Sequence, residues 1–137
     1  MTEPRALSPK QMAAPAAAYA HAIHVPAGAE LIVTSGVVPT NPDGSVPSDL
    51  GEQVRLVWQN IAAILAEGKM NVKSIVSVTT YVVHSADLGE RLKIVMAGRD
   101  KALKGHLAAS TLVTVPALAR SEWLVEIAVL AARHPNS

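Results

Sequence analysis

The sequence predicts an α+β layer sandwich, one mixed β-sheet with two helices packed on one face, in the order ββαβαββ. Three observations carry this expectation. Val54, Val57, Ile61, Ile64 and Leu65 recur at helical spacing, and so do Leu88, Leu92, Val95, Arg99 and Leu103. Between the two stripes, residues 75–83 (IVSVTTYVV) are β-branched almost throughout, as befits a central strand. Two strand-like runs precede the first stripe and two follow the second. A few strands alternating with two helices bury their apolar faces as two layers.

Residues 1–15 read as a flexible arm, because Pro4, Pro9 and Pro15 repeatedly block regular pairing, and residues 16–134 as a single domain. In 17–25 (AAYAHAIHV) strand periodicity puts Tyr19, His21 and Ile23 on one face. The turn 26–29 and the run 30–35 (ELIVTS) complete an expected antiparallel hairpin. Gly36 allows a close backbone approach after Ser35, and Asn41-Pro42-Asp43-Gly44 turns the chain away from the sheet. Ser48 or Asp49 can cap the first helix, with Glu52 in its first turn and Gly68 at its C-terminal cap. Asp87 with Glu90 resembles an acidic capping box for the second helix, which should end near Lys104-Gly105. Residues 111–115 and 123–131 are the last two strands. The final one, WLVEIAVLA, does not alternate cleanly, so part of it is expected to be buried on both faces.

A chain of 137 residues is one domain by length. Half of it is apolar and Phe is absent, so Val, Leu, Ile and Ala must build the core. A net charge of +1 with scattered Lys and Arg leaves no basic stripe, and no nucleic-acid partner is expected. The lack of cysteine excludes disulfides, thiolate nucleophiles and Cys-based metal sites, and fits a cytoplasmic protein. No apolar run near the N-terminus has the length of a signal or membrane helix, so no membrane partner is expected either. So apolar a chain is expected to hide surface between subunits.

Glu126 stands among apolar residues in the last strand. It must be paired, hydrogen-bonded, protonated or open to a cavity. One reading is a carboxylate on a wet face or in a subunit contact, and the other is the acid of a small site. His21, His24, His84 and His106 lack metal-ligand spacing, so no metal site is expected. His106 is near enough in sequence to Ser110 to enter a cleft, or else lies in an exposed loop. A Ser110-His106-Glu126 triad has no nucleophile-elbow motif behind it, and Lys93 and Lys101 read as a solvated helix face.

Taken together, Tyr19, Ser35-Gly36 after LIVT, EQVRLVWQNIAAILAEG, VVHSADL and LVEIAVLA resemble the RidA (YjgF/YER057c/UK114) family from about Tyr19 to Ala132. The resemblance implies a chorismate-mutase-like fold of the bacillus type, a homotrimer with clefts between subunits, and a small-molecule metabolite as ligand. It further implies hydrolysis of reactive enamines or imines, with no cofactor. On this basis Glu126, Tyr19 and Ser35 are the candidate catalytic residues, and Gly36, Val37, Met96, Arg99 and Ser110 the candidate substrate-binding ones. The departures bear on activity. The family arginine of a PARS or PART motif corresponds to Ala108-Ala109-Ser110-Thr111, with Ser110 read in its place. Val37 replaces the glutamine of an SGQ loop, and Met96 a helix asparagine. Losing a bidentate charged contact costs roughly 2–5 kcal/mol in a desolvated site. A drier cleft with weak or altered deaminase activity is therefore expected, unless Arg99 or Arg120 compensates. The alternative is a non-enzymatic interaction module, of translation-inhibitor or chaperone-like kind, on the same scaffold.

Overall fold

A computed structural model describes residues 3–135. Helix α1 (Leu50–Glu67) starts at Asp49, whose side chain accepts the Glu52 N–H at 3.0 Å. Its inward stripe buries Val54, Val57, Ile61 and Leu65, while Ile64 lies at the exposed flank. Gly68 caps the helix but is not its left-handed residue, a role taken by Lys69 at φ 61°. Glycine at 68 lets Ile32 pack against the helix end, where a Cβ would overlap Ile32 Cδ1. Helix α2 (Leu88–Leu103) buries Val95, Arg99 and Leu103 and stops at Lys104, which is left-handed. The expected capping box at Asp87 does not form. Asp87 makes no side-chain cap bond, and its own N–H donates to Ser85 Oγ at 3.1 Å. No helix among the described residues is long and apolar enough to cross a membrane.

Four strands form the main sheet: β3 (Glu30–Val33), β4 (Ile75–Val83), β5 (Ala109–Val115) and β6 (Val125–Arg133). Their order is β3-β6-β4-β5, with β4 and β5 parallel and the other pairs antiparallel, so the sheet is mixed as expected. The expected N-terminal hairpin is absent. Strand β2 (Ala22–His24) pairs instead with β1 (Arg5–Leu7) as a separate ribbon, which puts a short strand inside the segment read as an arm. Ala20 bridges to Ala109 at the free edge of β5, and β3 pairs with β6. The physical reason is that β6 is a long strand with two edges to fill, and it captures β3 from the opposite end of the chain.

Both helices lie on one face. Val125, Ile127, Val129 and Ala131 of β6, with Val78 and Val82 of β4, pack beneath them. Alternation along β6 is stricter than its sequence suggested: Glu126, Ala128 and Leu130 all stay half-buried on the opposite face, and only Ala132 near its end breaks the pattern. On that open face, Leu31 and Val33 are 56% and 71% exposed, apolar surface of the sort a subunit contact covers.

Gln53 ties the layers together. Fully buried in α1, it donates from Nε2 to the carbonyls of Pro47 and Glu122, each at 2.8 Å, and its Oε1 accepts the Leu124 N–H at 2.9 Å. Gln53→Leu would leave those backbone groups unmatched, at a cost on the order of 3 kcal/mol. A urea unfolding curve should show this as a lowered midpoint, and an unchanged midpoint would contradict the bridging role.

Candidate functional site

The site begins where β3 leaves the sheet. Between the pairs Val33↔Leu130 and Val37↔Ile127, residues 34–36 oppose only 128–129, so one strand carries an extra residue. Thr34 absorbs the mismatch. Its N–H donates to Val129 O at 3.1 Å, and its Oγ1 accepts the Val129 N–H at 3.0 Å while donating to Ser35 O at 2.7 Å. The bulge presses the Gly36 backbone against Glu126. A Cβ at position 36 would overlap the Glu126 carboxylate and come within 2.9 Å of its Cγ, so only glycine leaves room for this side chain.

Glu126 faces away from the helices. Its β4 partner on that face is Tyr81, which pairs onward with Val113. The next rungs are Ala128, Thr79 and Thr111, then Leu130, Ser77 and Ala109. Glu126 is the only charged side chain on this face of the four described strands. Among the described residues its carboxylate has no hydrogen bond or ion pair.

The structure separates the sequence-derived candidates. Ser35 and Gly36 lie at the bulge beside Glu126, with Ser35 exposed. Tyr19 stands next to Ala20, which bridges to Ala109 at the start of β5. The Tyr19 hydroxyl accepts the Ala16 N–H at 3.3 Å, and its ring meets His21 edge-on at 6.1 Å. Ser110 and Arg99 lie behind the sheet. Ser110 is in register with buried Val78, and its Oγ accepts from Arg99 Nη1 at 3.4 Å. Arg99 is 6% exposed and holds Asp100 Oδ1 through Nε and Nη2 at 3.2 and 3.1 Å. Val37 is a core residue, and Met96 sits half-buried in the helix layer. Arg120 stacks over Trp123, 5.6 Å from the ring centroid.

Sequence reasoning missed Tyr81 and Ala109, the residues of β4 and β5 that share the Glu126 face. The alternation Ser77, Thr79, Tyr81 was the available signal, hidden in a run read as uniformly β-branched. His106 is half-buried rather than exposed, and it lines a smaller hollow with Ile23, Ile75 and Leu107. Its Nε2 donates to Ile75 O at 2.6 Å, where the β4–β6 ladder is irregular. Among the described residues no group of three or more His, Asp or Glu could hold a metal ion. A hollow of about 710 Å³ between α1 and α2 is lined by Trp58, Ala62, Ile94 and Lys101, among others, and includes none of the candidate residues.

Gly36→Ala should separate position from stability. The added methyl meets Glu126 Oε2, Cδ and Cγ, side-chain atoms that a different rotamer carries clear, so unfolding free energy should stay within about 1 kcal/mol of wild type. The carboxylate should move, read as a changed Glu126 side-chain carbon shift by NMR. A collapse in stability, or an unmoved carboxylate, would contradict the geometry.

A family model described as Endoribonuclease L-PSP matches residues 10–133. A RutC family protein of Pasteurella multocida is 38% identical over 53 residues, 38% of this chain and 41% of that one, so the match spans about two fifths of the relative. Among solved structures, the conserved Rid family protein YyfB of Yersinia pestis, described as of unknown function, superposes with a TM-score of 0.82 at 26% identity. That match covers 96% of this chain and 98% of the other. Yeast Mmf1 gives 0.67 at 26% identity, over 95% and 98%.

Proposed function

The chain belongs to the Endoribonuclease L-PSP family, and from that premise we propose a cytoplasmic, cofactor-independent hydrolase of imines or enamines, working in clefts between the subunits of a homotrimer and weak toward imines that carry a carboxylate. The observation that supports it best is the Glu126 carboxylate, held over Gly36 on an otherwise uncharged sheet face. In this reading Glu126 takes a proton from water as the oxygen bonds to the C=N carbon. With the C=N group protonated, that proton then passes to nitrogen, the C–N bond breaks as the new hydroxyl gives up its proton through Glu126 to the departing ammonia, and a neutral carbonyl compound and ammonium leave. Each turnover consumes one water. Ser35 at the bulge supplies a hydroxyl to position it, and Tyr19, whose neighbour Ala20 bridges to Ala109, supplies a second from across a subunit cleft.

The weakness toward carboxylates follows from charge. Aligned on its Ala-Arg-Ser text, the PARS motif lies over Ala108-Ala109-Ser110, so the arginine falls on Ala109, on the Glu126 face. Read instead at Ser110, it is replaced by a hydroxyl behind the sheet. Neither alignment leaves a cation beside Glu126 among the described residues, and the lost contact is worth roughly 2–5 kcal/mol, a factor of tens to thousands. Exposed Leu31 and Val33 also suit a protein-binding module, the second reading.

An amino-acid oxidase generating 2-iminopropanoate, with semicarbazone formation as readout, tests the activity. Little acceleration of imine loss is expected. Strong acceleration abolished by Glu126→Ala would overturn the claimed weakness.

A further inference from the structure

Resting on that reading, we propose that the Glu126 site selects cations: protonated imines and amines without a carboxylate, recognised jointly by the Glu126 carboxylate and the Tyr81 ring.

The charge pattern carries the inference. The arginines nearest in sequence or structure are engaged elsewhere: Arg99 with Asp100 and Ser110, Arg91 with the Val83 carbonyl at 2.6 Å, Arg120 over Trp123, and Arg133 with Glu30 at 3.5 Å. Among the described residues Glu126 is left as an unmatched, half-buried negative charge, and Gly36 provides the space in which its side chain lies. An anion placed here meets repulsion with nothing to offset it, whereas a cation gains the charge-assisted contact.

Tyr81 adds a second recognition element. Directly opposite residues on one face have Cβ atoms about 5 Å apart, so a cation touching Glu126 also lies within reach of the Tyr81 ring face, a favourable contact. The phenol has no hydrogen bond among the described residues, and Val113 closes the far side. This choice of ligand suits the chemistry. A protonated imine is the form that water attacks readily. Adding one water to such an iminium ion yields one neutral carbonyl compound and one ammonium ion, so the positive charge beside Glu126 is conserved from substrate to product.

The test uses two probes of one shape and opposite charge, benzylammonium and benzoate, titrated into the intact protein at neutral pH by calorimetry. Benzylammonium should bind at least tenfold more tightly than benzoate. Glu126→Gln should remove at least tenfold of that affinity. Tyr81→Leu should lose about threefold, and Tyr81→Phe, which keeps the ring, should stay within twofold, with thermal unfolding reporting that each variant folds. Benzoate binding as well as benzylammonium, as when a second subunit supplies a cation, would overturn the proposal, and so would a Glu126→Gln variant of unchanged affinity. Hydrolysis is followed separately with benzaldimine released by an amine oxidase, read by benzaldehyde absorbance. Charge-selective binding without accelerated hydrolysis upholds the cation site and defeats the hydrolase reading. Accelerated hydrolysis without charge selectivity does the reverse.

Discussion

Strand β6 is inserted between β3 and β4, and its odd-numbered residues Val125, Ile127, Val129 and Ala131 fill the space beneath two helices. Because side chains in a strand alternate, that burial forces Glu126 to the other face. A slip of one residue would drive the carboxylate into the helix interface, where nothing could solvate it, at a cost of several kcal/mol. Ladders on both edges hold the register. The acid is therefore placed by the packing of its neighbours rather than by any contact of its own.

The same constraint divides the molecule chemically. Behind the sheet, Gln53 satisfies three backbone groups and Arg99 finds Asp100 and Ser110, while the buried Trp58 indole N–H has no partner among the described residues. In front of it, the extra residue of the 34–36 segment is accommodated by the Thr34 hydroxyl, and the bulge delivers a glycine backbone to the flank of Glu126. Arginine on α2 cannot rescue the front of the sheet, since a full strand layer intervenes. The front holds one negative charge, a phenol and several hydroxyls, set among small and branched apolar side chains.

Much of the fold was legible in the sequence because its signals are local. The stripe of α1, the Asp49 cap and the bounds of β4 each follow from a few neighbouring residues. What was not legible depends on partners distant along the chain. The run 17–25 has strand character, but nothing in it says that Ala20 meets β5 and Ala22–His24 meet β1 in place of β3. Asp87 has the composition of a cap, but its backbone angles are not those of one. For the site, Glu126 and Ser35-Gly36 were readable as a pair of segments, and their contact through a bulge was not. Ser110 and Ala109 differ only in parity, and parity is set by where β5 joins β4. Tyr81 belongs to the same class of residue, named by register alone.

A sheet face with exposed Leu31, Val33 and Val113 around an unmatched carboxylate calls for a covering, and other copies of the chain are the covering this account requires. Native mass spectrometry at low micromolar concentration measures that directly. The account predicts an assembly of three 14.3 kDa chains, and a protein that remains a single chain across the accessible concentration range would contradict it.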